Sequence, residues 1–212
     1  MTAPATAVHP APENISRLSW PRAAGILILA GGVLLTAATA LEIGTGVSAD
    51  PGPATVFWVL FLASTLAHVV AMFPLALGRG DGQGAVGSSL IGKIALLGFG
   101  AFFLANQSLY LLAAHLLPTA EPGGGAMAFL FGMSAVQGVL LLVGGIVIVR
   151  ARVFTGAARW AILVLALVGF ALGVVVNNSS IEALTTTMYF VSTGAQIVAG
   201  LLIARAGSAA AK

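Results

Sequence analysis

GVLLLVGGIVIVRARVFTGAARWAILVLALVGFALGVVVN occupies Gly138–Asn177. Its two apolar runs flank an insert, Arg150 to Arg159, that carries three arginines. A helix needs about 20 apolar residues to cross the hydrocarbon core, and in lipid each backbone polar group must be satisfied within the segment. The first run reaches back to Gly125, the second ends at Asn177, and neither holds a charge. The stretch therefore predicts two membrane-crossing helices joined by a short basic turn, which makes them an antiparallel hairpin.

Four more runs meet the same test, so the spans expected are 23–43, 54–77, 91–117, 125–149, 160–177 and 182–204. Turn-forming residues separate them, including Asp50-Pro51-Gly52-Pro53 and Asn177-Asn178-Ser179-Ser180. The fold class predicted is all-α: one bundle of six transmembrane helices in three antiparallel hairpins. Residues 1–19 are rich in Ala, Pro and Thr without apolar periodicity and read as a disordered tail; 20–206 form the membrane domain and 207–212 a short C-terminal tail. Ala38-Thr39-Ala40 resembles a signal-peptidase site, but the run before it, about 19 residues, exceeds the 7–15 of a signal peptide, so helix one is expected to be retained.

Composition agrees. Of 212 residues 59% are hydrophobic and 7% charged, with a mean hydropathy of +1.06; soluble domains carry about 25% charged residues. The absence of cysteine excludes disulfides, thiolate nucleophiles and Cys-ligated metal clusters. All nine Lys and Arg (Arg17, Arg22, Arg79, Lys93, Arg150, Arg152, Arg159, Arg205 and Lys212) fall on one side of the alternating spans, whereas Glu42, Asp50, Glu121 and Glu182 fall on the other. The positive-inside rule then places both termini in the cytoplasm. The same distribution accounts for a pI near 10 without any nucleic-acid surface.

Motifs that resemble catalytic signatures lack their context. Gly82-Gln83-Gly84-Ala85-Val86-Gly87 has the letters of a dinucleotide fingerprint, but sits between two membrane helices rather than in a strand–turn–helix unit, and reads as a flexible loop. Gly78-Arg79-Gly80-Asp81 resembles the G-x-G-D of intramembrane aspartyl proteases, yet no span supplies the second carboxylate that chemistry shares a proton with. No catalytic residue, cofactor site or metal site is expected, and the chain reads as a non-enzyme.

The notable polar residues lie inside the spans. His68, about 14 residues or about 21 Å into helix two, is an ionisable group near mid-bilayer, which is a functional candidate by default; the ordinary alternative is a neutral imidazole hydrogen-bonded to a neighbouring helix. His115, at the outer end of helix three, is too far along its helix to bracket one haem with it. Asn106, Gln107, Gln137, Ser192, Thr193 and Gln196 are expected in one layer with His68. Thr185, Tyr189, Ser192, Gln196 and Gly200 follow helical spacing along one face, as do Ser134, Gln137 and Gly138, and Ser64 with His68. Such faces should point into the bundle. They can act as interhelical glue, at about 0.6 kcal/mol per contact, or line a polar path. The sequence favours glue, and with it a structural or accessory role through helix packing; the alternative is a small channel or transporter around His68, Gln137 and Gln196. Glu42 and Lys93 read as interfacial anchors at helix ends.

Glycine-rich faces offer close packing. Gly169-Phe170-Ala171-Leu172-Gly173 is a G-x-x-x-G that could meet a second copy or another membrane protein, or a helix of the same chain; Gly31-Gly32, Gly98 with Gly100, and Gly144-Gly145 add small surfaces. Pro74 should kink helix two. The arginines between helices four and five could hold lipid headgroups. From Gly138 to Gly173, with Arg150-Ala151-Arg152-Val153 and Arg159-Trp160 joining two Gly-rich spans, the chain resembles uncharacterised six-helix bacterial membrane proteins. That resemblance implies a bacterial plasma-membrane location and transfers no site residue.

Overall fold

The computed structural model describes residues 19–45, 51–79, 83–113 and 124–209. Residues 1–18 and 210–212, Asp50, Asp81, His115 and Glu121 lie outside the described residues, and with them most of the expected tails and the Gly80-Asp81 half of the G-x-G-D stretch; 207–209, expected in the C-terminal tail, continue α6. Six α-helices follow in order: α1 Trp20–Thr45, α2 Pro51–Leu77, α3 Leu90–Leu111, α4 Gly124–Ala151, α5 Ala161–Asn178 and α6 Glu182–Ala209, with a 3-10 turn, Gly156–Arg159, before α5. All six are long and apolar enough to span a bilayer. The chain is a multi-pass membrane protein.

Ten of the twelve helix ends lie within three residues of the expected boundaries; α3 is α-helical to Leu111 and passes into a π turn at 112–113, beyond which its expected span leaves the described residues, and α6 runs on to Ala209. The Ser89 hydroxyl accepts from the Gly92 N–H at 3.2 Å and starts α3. α2 continues through Pro74 to Leu77, where Gly78, at φ +66°, donates to the Pro74 carbonyl at 3.0 Å and ends the helix. Outward-facing side chains are apolar: Val59, Leu66, Leu90, Ile91, Leu167 and Val174 are all more than half exposed. In lipid that surface carries no penalty.

Each helix packs on its neighbours in the chain, and α1 packs on α6, so the six helices close into a ring. Glycines make the closing seam. A Cβ added to Gly200 would lie 2.7 Å from the Leu29 Cα and 2.8 Å from the Gly25 carbonyl oxygen, and one added to Gly25 would lie 2.6 Å from the Ala204 Cα. Backbone meets backbone there, which only small residues permit. Gly144 seats Leu96, and Gly145 seats the Leu163 backbone, in the same way.

Two turns or less from the end of the ring where the described arginines gather, each helix contributes one fully buried aliphatic side chain: Ile28, Leu75, Leu96, Ile148, Ile162 and Ile203. Together with Met72, Ala76 and Ala199 they form a collar across this basic end. The loop below it is not the loose segment its glycines suggested. Ala85 and Val86 are buried, and the Ala85 N–H donates to the Leu75 carbonyl at 2.7 Å. Gly84 passes so close to the end of α2 that a Cβ would lie 2.7 Å from the Ala76 carbonyl carbon. An apolar pair with a core to enter overrides the flexibility of its flanking glycines.

Arg152, just past α4, has φ 56°, the left-handed region that disfavours a residue with a Cβ. Arg152→Gly should therefore leave stability unchanged or raise it by about 0.5–1 kcal/mol, read as the denaturation midpoint in detergent.

Candidate functional site

The polar residues of the spans stand on a staircase rather than in one layer. Counted from Arg22, Leu77, Lys93, Arg150 or Arg205 at the basic end, Gly31, His68 and Gln196 lie nine residues in, about 14 Å at the helical rise. Asn106, Gln137 and Ser192 lie thirteen residues in, about 20 Å. Tyr189, Tyr110 and Glu42 follow at sixteen, seventeen and twenty, about 24–30 Å. The steps come from distances to the charged ends: His68 stands nine positions from Leu77 and Gln196 nine from Arg205, whereas Asn106 stands thirteen from Lys93 and Gln137 thirteen from Arg150.

His68 forms the foot of the staircase and is 5% exposed. Its Nδ1 lies 2.8 Å from the Ser64 carbonyl oxygen, so Nδ1 carries the proton and donates. The Ser64 hydroxyl donates in turn to the Gly31 carbonyl on α1 at 2.8 Å. The imidazole rests on Gly31, where an added Cβ would lie 2.5 Å from Nδ1. Phe103 of α3 presents its ring at 5.7 Å in an edge geometry and stacks on Phe99 at 5.5 Å. Gln196 of α6 adjoins the imidazole. Four helices thus hold one side chain.

One level up, the Asn106 amide donates to the Ser134 hydroxyl at 3.2 Å, bridging α3 and α4. Ser192 and Thr193 are buried; Gln107 and Gln137 are half-buried. At the acidic end the Tyr110 hydroxyl donates to Glu42 at 2.5 Å, linking α3 to α1, and Tyr189 of α6 lies within electrostatic reach of both. Glu42 was expected to be an interfacial anchor; it also pairs with an aromatic hydroxyl across the ring. Sequence reasoning missed Tyr110 because Glu42, its partner, is 68 positions away.

Four buried atoms on this staircase have no hydrogen-bond partner: His68 Nε2, Asn106 Oδ1, Gln137 Oε1 and Gln196 Oε1. Trp58 Nε1 on α2 is a fifth. Buried polar atoms are nearly always paired, and each one left over costs about 1–3 kcal/mol.

The two ends of the ring differ in packing. At the acidic end, α1, α2 and α3 are sealed by Ala38, Ala54, Phe57, Phe61 and Leu111. On α4, α5 and α6, Gly132 and Gly173 toward that end and Gly169 and Gly194 near mid-span have nothing within 4 Å of where a Cβ would sit. A side chain at Gly169 or Gly173 would therefore enter open space rather than another helix. A separate open groove of about 530 Å³ lies at the basic end, lined by Arg152, Phe154, Thr155, Arg159 and Trp160 among others. The Arg159 Nε donates to the Val149 carbonyl at 2.7 Å, which steadies that guanidinium beside the Trp160 ring.

Among the described residues, no three His, Asp or Glu side chains cluster closely enough to hold a metal ion. No protein-family model, curated protein or solved structure matches this chain.

Proposed function

We propose that the protein is a non-enzymatic small-solute binder or carrier of a bacterial plasma membrane, with both termini in the cytoplasm. Solute enters the polar staircase from the acidic end, and the aliphatic collar closes the basic end. The observation that carries this proposal is the set of unpartnered atoms on His68, Asn106, Gln137 and Gln196. Asn106 does bridge to Ser134 and Gln196 does adjoin His68, yet each of the four side chains keeps one buried acceptor that the hydrogen bonds between helices leave over. The Glu42 carboxylate at the acidic end and the fully buried aliphatic side chains near the basic end support entry from the acidic side. The sequence had favoured an accessory role; the open Gly169 and Gly173 face still supports docking of a second copy or another membrane protein, and the arginine groove supports contact with anionic lipid headgroups.

Proteoliposome uptake of methylammonium, glycerol and acetate by wild type and by His68→Leu tests the proposal. A solute path predicts uptake above protein-free vesicles that falls at least tenfold in His68→Leu. Stability should stay unchanged or rise, since the variant replaces a partly unsatisfied buried group with an apolar one of similar size. Glue predicts the reverse: no uptake by the wild type, and a loss of stability of about 0.6–1.7 kcal/mol in the variant.

A further inference from the structure

We infer that the staircase takes a small cationic hydrogen-bond donor, of the ammonium or primary-amine class. This inference rests on the solute-handling role proposed above. It starts from the sign of what the site lacks. With Nδ1–H committed to the Ser64 carbonyl, the neutral His68 ring offers Nε2 as a lone pair. Asn106 Oδ1, Gln137 Oε1 and Gln196 Oε1 are carbonyl oxygens, and the Asn106 amide nitrogen is already engaged with Ser134. All four unpartnered atoms of the staircase are acceptors, so its complement is a ligand rich in donors.

Charge points the same way. Glu42 stands at the acidic end, whereas Arg22, Arg79, Lys93, Arg150, Arg152, Arg159 and Arg205 belong to the opposite end of the ring. Among the described residues, an anion entering past Glu42 would meet a carboxylate and then four unpartnered acceptors, against the one unpartnered donor at Trp58 Nε1. A cation meets the carboxylate first, which concentrates it at the entrance, and then exchanges water for carbonyl and imidazole acceptors, the substitution that makes a charge tolerable within a membrane. Aromatic rings adjoin both levels: Phe103 beside His68, and Tyr110 with Phe61 at 5.7 Å beside Glu42. Their faces attract cations. The imidazole nitrogen then separates classes of cation. Hard metal ions take oxygen ligands, whereas an N–H donor suits a nitrogen lone pair, so the foot of the staircase favours ammonium-type groups over alkali ions.

The experiment is saturable uptake of radiolabelled methylammonium into proteoliposomes, with ammonium, potassium, glycerol and acetate as competitors. Ammonium should compete, and a hundredfold excess of the other three should not. Gln137→Leu and Asn106→Leu should each reduce uptake at least tenfold. Glu42→Gln should reduce it several-fold at low ionic strength and much less in high salt, because salt screens attraction at an exposed entrance. If those variants fail to fold, the wild type decides alone: methylammonium should raise its melting temperature by several degrees, and glycerol, acetate and potassium should not. Uptake of glycerol or acetate without methylammonium would overturn the cation assignment and leave the solute role standing. Competition by potassium equal to that by ammonium would overturn the preference for an N–H donor. Absence of uptake and of stabilisation by every probe would overturn both.

Discussion

Gly200→Val should prevent the bundle from closing. The valine Cβ would fall on the backbone of α1, 2.7 Å from the Leu29 Cα and 2.8 Å from the Gly25 carbonyl oxygen, with two methyl groups beyond it. A clash with a flexible side-chain tip can be relieved by a rotamer change; a clash with backbone can be relieved only by moving a helix. The cost should reach or exceed the ~3 kcal/mol at the upper end of overpacking effects, a large share of the ~5–15 kcal/mol that holds a typical domain together. Detergent-solubilised Gly200→Val should elute as aggregate or melt more than ten degrees below wild type. Gly169→Val is the matched control: the same substitution inside another membrane-spanning helix, at a position with nothing within 4 Å, should leave the monomer's melting temperature within about two degrees. Equal losses in both variants would refute the seam.

Gly31→Val should damage fold and site together. Its Cβ would lie 2.5 Å from His68 Nδ1, so the imidazole must leave its seat, and the Ser64 hydroxyl bond to the Gly31 carbonyl is strained at the same point. The expected destabilisation is about 1–3 kcal/mol. Methylammonium uptake by the protein that does fold should fall at least tenfold, since a displaced ring no longer presents Nε2. Gly31→Ala, His68→Leu combines a smaller intrusion with removal of the clashing ring, and should recover most of the stability and none of the uptake. Recovery of uptake in that double variant would show that His68 does not form the foot of the solute site.

The spans were legible in the sequence because the bilayer imposes one demand, length without charge, on each of them. Arg22, Arg79, Arg150 and Arg205 marked their ends for the same reason. Which helix faces meet each other was far less legible. Lipid is as apolar as leucine, so the hydrophobic pattern does not separate a face against protein from a face against lipid. Gly169 and Gly173 have the better motif and stand open; Gly25, at no special spacing from Gly31, lies in the tightest contact. Of the polar residues, Ser64 with His68 and, on α6, Ser192 with Gly200 are buried as helical spacing predicts, whereas Tyr189 on the same α6 face and Ser134 on α4 are exposed rather than turned into the bundle. Their partners could not be read from spacing, because a partner depends on which helices adjoin: Asn106 meets Ser134 of α4, and Gln196 of α6 adjoins His68. The collar was invisible for a related reason: Ile28 and Ile203 resemble every other aliphatic residue in their helices until the ring buries them in one cluster.

The contact between α1 and α6 also sets the order of biogenesis. The Gly25 surface leaves the ribosome about 175 residues before Gly200 arrives to cover it, roughly 9–35 s at ordinary rates of synthesis. Through that interval the nascent chain is an unclosed arc with a bare backbone strip along its first helix, available to chaperones, insertase or a neighbouring polypeptide. Translation speed across the last helix is therefore a handle on how often the ring shuts upon itself.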